Sequence, residues 1–228
     1  MARSWCRPEG DTSVLPSSLR AWLGLTAVLA ALVVLGLGGL YADDSTPGAL
    51  DTRIQAAVDG AGPPWRDIAL AVDFLGEPLG AATLVGAAVI GCLLLRRPRA
   101  AVSVVAGAGA AVGAATLLKH LVGRTIHGEA NLSYPSGHTA FLTALALAVA
   151  LLATGRLGLG GAAGMSLVLA PALAAGATMG WAQVTLGAHY PTDALGGWCT
   201  ALAVTPATAW LVDRTAGRTS KSPQPTSR

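Results

Sequence analysis

The sequence predicts an all-α polytopic membrane protein, a bundle of six transmembrane helices, and three observations predict it. Only 12% of its 228 residues are charged, about half the share of a soluble domain. Hydrophobic residues make up 53% of the chain, and the mean hydropathy is +0.56. The apolar residues also gather into uncharged runs long enough to cross a bilayer, which needs about 20 residues per helix. The length suits one domain. We read it as a membrane domain over residues 20–213, between a flexible cytoplasmic N-terminus (1–19) and a disordered cytoplasmic tail (214–228) rich in Ser, Thr, Pro and Arg.

The first run, 21–42, carries no charge. It exceeds the core of a signal peptide, so it reads as an uncleaved span. Residues 43–67 are polar, and Leu50, Ile54, Ala57 and Val58 recur at helical spacing, which predicts a short interfacial helix. The second span, 68–95, stops at Arg96-Arg97-Pro98-Arg99, with Asp73 and Glu77 near its outer end as groups of the interface or groups supporting the site, rather than charges buried in lipid. The third, 100–118, is rich in Ala and Gly, which lets helices approach closely in lipid, and it ends at Lys119-His120. A polar loop, 121–137, precedes the fourth span, 138–153. Residues 154–156 make a turn, and the fifth span, 161–184, tolerates Pro171. The sixth span, 194–212, closes at Asp213-Arg214.

Charge then sets the orientation. With both termini inside, Arg3, Arg7, Arg20, Arg96, Arg97, Arg99, Arg156, Arg214, Arg218, Lys221 and Arg228 are cytoplasmic. Only Arg53, Arg66, Lys119 and Arg124 lie outside, as the positive-inside rule requires. The net charge of +3 and pI of 9.0 follow from that bias. No basic face with interleaved aromatics points to nucleic acid. Cys6, Cys92 and Cys199 match no zinc or thioredoxin spacing.

This orientation brings Lys119, Ser136, His138, His189 and Asp193 to the outer face. His189 and Asp193 stand at i and i+4, so a helix beginning between them turns both the same way, and Pro191 suits its first turn. Asp193 is then placed to orient the His189 ring. His138 follows a Ser-Gly step that opens an apolar run, where free backbone N–H groups bind anions. Two imidazoles, a carboxylate, a cation and an anion cradle suggest phosphoryl chemistry at a membrane surface.

These residues resemble the membrane branch of the type 2 phosphatidic acid phosphatase (PAP2) and vanadium haloperoxidase superfamily. The family pattern is Lys, six residues, Arg-Pro; then Pro-Ser-Gly-His; then Ser-Arg, five residues, His, three residues, Asp. Pro135-Ser136-Gly137-His138 matches the middle part in full. Gly187-Ala188-His189-Tyr190-Pro191-Thr192-Asp193 matches the end of the last part, and Lys119 the start of the first. Two arginines that clamp phosphate in the family are absent: Ile126, followed by His127, and Gln183 stand at their positions. Arg124 is near enough in sequence to substitute for one, and the Gln183 amide can donate a neutral bond in place of the other.

The resemblance implies a metal-independent phosphatase that hydrolyses a lipid phosphate or diphosphate at the outer face of the plasma membrane. It assigns His189 as the nucleophile, giving a phosphohistidine, Asp193 as its orienting partner and His138 as the acid and base. Lys119, Ser136, Gly137, Arg124 and Gln183 would hold the phosphate. Substrates in keeping are a polyprenyl phosphate or diphosphate, phosphatidylglycerol phosphate or phosphatidic acid. No cofactor is expected, because no clustered carboxylates or Cys/His set stands out in the sequence. His120 and His127 read as loop residues. The alternatives are a catalytically weakened relative that binds a lipid phosphate, or a transporter, which would carry internal repeats and mid-bilayer charges.

Overall fold

The computed structural model describes residues 13–60 and 62–219. A 3-10 turn, Ser17–Leu19, leads into eight helices. They are α1 (Arg20–Leu40), α2 (Ala49–Val58), α3 (Pro63–Asp73), α4 (Pro78–Leu94), α5 (Pro98–Val122), α6 (Gly137–Leu157), α7 (Gly161–Thr185) and α8 (Pro191–Thr219). Five of them, α1 and α5–α8, are long and apolar enough to cross a membrane, and α3 with α4 adds a sixth candidate if the bent pair is one span. Among the described residues the one isolated β-bridge joins Thr125 to Leu132.

Each start and stop has a local cause. Prolines lie within the first two positions of α3, α4 and α5, where the missing N–H needs no partner. Ser136 caps α6 by accepting from the Thr139 N–H. Gly123 ends α5 in the left-handed region at φ 69°. The predicted short interfacial helix is α2. Residues 154–156, expected as a turn, stay helical, and α8 runs past Asp213 to Thr219.

The second span departs from expectation. It is two helices meeting at 58°, because Pro78 forces Glu77 into extended backbone at ψ 155°. The N-terminal segment differs too from residue 13 onward. Val14, Leu15 and Leu19 are buried, and Asp213 accepts the Val14 and Leu15 N–H groups at 2.7 and 2.9 Å. Residues 1–12 and 220–228, both expected to be flexible, lie outside the described residues.

α8 is the hub of the bundle, packed against α1, α5, α6 and α7. Small residues allow this. A Cβ on Gly197 would meet the Ser136 carbonyl, and one on Gly176 the Trp198 ring. The main core gathers Leu23, Val34, Leu147, Leu151, Val168 and Leu202 between these helices. The outer surface is apolar as well: Leu29, Leu32, Leu35 and Leu40 of α1, Leu94 and Leu121 are all more than half exposed. In water each would forgo about 1.5–3 kcal/mol of burial; in lipid the cost vanishes.

Candidate active site

The last segment of the site is built by the turn from α7 into α8. Leu186–Tyr190 leaves α7 through the left-handed Gly187 (φ 71°), and Pro191 restarts the helix. The i,i+4 spacing then brings His189 Nδ1 to 3.7 Å from Asp193 Oδ2. The same carboxylate oxygen accepts the Tyr190 N–H at 3.0 Å, so it is fixed by backbone before it meets the ring. Asp193 is fully buried and His189 nearly so. Burial pushes the His189 pKa below its ordinary value; Asp193 opposes that push, while the charges of Lys119 and His138 add to it. The imidazole is thus biased to the neutral form a nucleophile needs.

The segment Tyr134–His138 is clamped to this turn. The Ser136 N–H donates to the Asp193 carbonyl at 2.9 Å, which locks the start of α6 to the start of α8. The Ser136 hydroxyl is fully buried and accepts from Thr139, so it serves the helix cap. A Cβ at Gly137 would meet nothing within 4 Å, so the α6 N-terminus is open on that side. Lys119, in the last turn of α5, donates to the Leu132 carbonyl at 2.8 Å.

His138 faces the α3–α4 break. Its Nε2 is 3.7 Å from Asp73 Oδ1 and 3.7 Å from Glu77 Oε1, and it has no hydrogen-bond partner. Gly76 permits this approach, since a Cβ there would lie 2.2 Å from the His138 ring. Gln183 is buried on α7 and donates its amide to Asp73 Oδ1. Asp73, Glu77 and His138 together offer ligand atoms within 4.8 Å of one another. The sequence reading found no such cluster, because 65 residues of chain separate Asp73 from His138. The set has the donor types for a divalent cation. It is equally a histidine flanked by two carboxylates.

Arg124 is not where the sequence suggested. It is fully buried, pairing with Asp193 Oδ1 at 2.7 Å and Asp51 Oδ2 at 2.8 Å, and donating to Thr192 Oγ1. Its guanidinium stacks on the Tyr41 and Tyr190 rings, 3.9 and 4.4 Å from their centroids. Only Nε lacks a partner. The cause is electrostatic: two buried carboxylates need a cation, and Arg124 pairs with both. Ile126, at the family's first arginine position, is buried and apolar.

His127 sits at positive φ and pairs with the Gly187 carbonyl at 2.8 Å, and His120 Nδ1 pairs with the Thr116 carbonyl of its own helix. Sequence reasoning missed Asp51 and Thr192. Thr192 N–H and hydroxyl both bond to Asp51. The available signal was an Asp next to Leu50 and one turn before Ile54 on an amphipathic helix, a place that calls for a buried partner.

A helical protein with membrane-length apolar helices that brings two histidines, a buried carboxylate and a lysine to one end of its bundle has the parts of a membrane-embedded phosphoryl-transfer protein. The family model of the PAP2 superfamily matches residues 118–216, the stretch that carries every motif part, and over that stretch the chain is similar to that superfamily. The match supports a phosphatase-type membrane protein. No curated protein and no solved structure matches the chain.

Proposed function

We propose that the protein hydrolyses a lipid phosphate or diphosphate at the outer face of the plasma membrane, through a phosphohistidine on His189. The observation that carries this reading is the gathering of His189, with Asp193 at 3.7 Å, and of His138, with an unpartnered Nε2, near enough to Lys119 for the His138 and Lys119 charges to act on His189. In this reading His189 attacks phosphorus while Asp193 holds the other ring nitrogen. His138 gives its proton to the leaving oxygen, then takes one from the water that releases inorganic phosphate. Lys119 and the open N-terminus of α6 balance the charge on the equatorial oxygens.

A second reading, a weakened phosphatase, has its own observation. Both groups expected to replace the missing arginines are committed elsewhere, Arg124 to Asp51 and Asp193, Gln183 to Asp73. Phosphate is then held with fewer charge-assisted bonds, each worth roughly twice a neutral one.

Phosphate release from a panel of lipid phosphates by the purified protein tests the reading. We expect turnover that His189→Ala lowers by at least about a thousandfold, as for removal of a covalent nucleophile. Equal release by both proteins would remove His189 from the mechanism.

A further inference from the structure

The two carboxylates beside His138 lie outside the matched stretch of residues 118–216 and have no role in the reaction as drawn above. Resting on the phosphatase reading, we propose that Asp73 and Glu77 are specificity-determining residues that select phosphate monoesters, whose leaving oxygen belongs to an uncharged alcohol, over diphosphates.

The inference follows from which atom they flank. His138 Nε2 is the unpartnered ring nitrogen, and it is equidistant, at 3.7 Å, from a carboxylate oxygen of each residue. A leaving oxygen that takes its proton from Nε2 sits about 3 Å from it. It therefore lies within about 7 Å of both carboxylate oxygens, whatever its direction.

The bond changes set the charge at that spot. His189 forms the N–P bond as the P–O bond to the leaving oxygen breaks, and that oxygen keeps the bonding pair. The proton moves from His138 to the oxygen, leaving a neutral imidazole. Water then attacks the phosphohistidine, gives one proton to His138, and frees inorganic phosphate and His189. For a monoester the group that departs is a neutral alcohol. For a diphosphate it is a lipid monophosphate, still anionic after protonation. At the moment His138 becomes neutral, that anion faces Asp73 and Glu77 without the imidazolium charge that stood beside them.

Gln183 leaves this field in place. Standing where the family has a phosphate-binding arginine, it donates an amide N–H hydrogen bond to Asp73 and brings no charge. An arginine at 183 would neutralise Asp73. Like charges a few ångströms apart oppose each other even at the effective dielectric near a surface. Because Glu77 is half exposed, salt should weaken the effect.

The test uses one tail and two head groups: a prenyl monophosphate and the diphosphate of the same chain length, in detergent micelles with EDTA present so that no divalent cation masks the second phosphate. For the wild type we expect kcat/KM at least about tenfold higher on the monophosphate, with the gap narrowing as salt rises. The variants Glu77→Gln, Asp73→Asn and Gln183→Arg should each shrink that ratio about three- to tenfold. The ratio is taken within each variant, so partial loss of folded protein cancels. Equal wild-type rates on both substrates, or a ratio that none of the three variants moves, overturns the inference and leaves the phosphatase reading standing. Hydrolysis of neither substrate overturns the phosphatase reading and this inference with it.

Discussion

At the scale of the residue, His189 is governed by opposed effects. Burial, together with the Lys119 and His138 charges, disfavours the imidazolium, and Asp193 favours it; the outcome is a pKa below 6.5. The neutral, nucleophilic ring therefore persists through pH 6.5 and is lost only further down. An NMR titration of the His189 ring in the substrate-free protein checks this, since no phosphate then titrates alongside. We expect a midpoint below 6.5, and lower still in Asp193→Asn, which removes the group that raises it; a midpoint above 6.5 contradicts the account. The linkage has the same sign. An unfolded His189 takes its proton first as pH falls, so stability is intact above 6.5 and erodes as pH drops through the folded value. Arg124 shows the opposite economy. It is wholly internal, and losing it would strand Asp51 and Asp193 at a cost of about 3–5 kcal/mol. Its role as keystone was not legible, because its partner Asp51 lies 73 residues upstream and burial cannot be read from a loop's composition.

At the scale of the element, the α3–α4 break decides which groups face His138. Hydropathy pools residues 68–95 into one span, since the apolar run on either side is uninterrupted except by Asp73 and Glu77. The signal for the break was Gly76-Glu77-Pro78, a dipeptide biased away from helix before a proline that starts one well. α5 to α8 were legible because each is a single long apolar run with a cap or basic stop, and because the motif residues fall at their ends. Gly76 makes the break functional. In Gly76→Ala the new Cβ would lie 2.2 Å from the His138 ring, so the ring or the turn must move. Displacements of about 1 Å at a reacting group cost on the order of a hundredfold in rate. We expect kcat to fall at least about tenfold while Tm changes by only a few degrees, the turn lying on the bundle's edge. Unchanged kcat would mean that His138 does not need its present position.

At the scale of the whole molecule, one asymmetry ties sequence, fold and chemistry together. The Lys119 end of α5, the 123–136 loop, the start of α6 and the α7–α8 turn all come to one end of the bundle, around His138 and His189. The basic stops Arg96-Arg97, Arg156 and Arg214 lie on helices and turns that lead to the other end. In the proposed orientation, which the positive-inside rule favours, the histidines lie away from the cytoplasm. That proposed placement matters chemically, because a site opening outward would meet lipid phosphates of the outer leaflet only. Glu129, exposed in the loop beside the site, and Arg156, exposed in the last turn of α6, report on opposite ends. In intact cells carrying a Cys6→Ser background, where Cys92 and Cys199 are buried, Glu129→Cys should react with a membrane-impermeant maleimide and Arg156→Cys should not. Permeabilising the cells should then label both. The reverse pattern, with Arg156→Cys reacting first, would turn the pocket to the cytoplasm and give the enzyme a different pool of substrate.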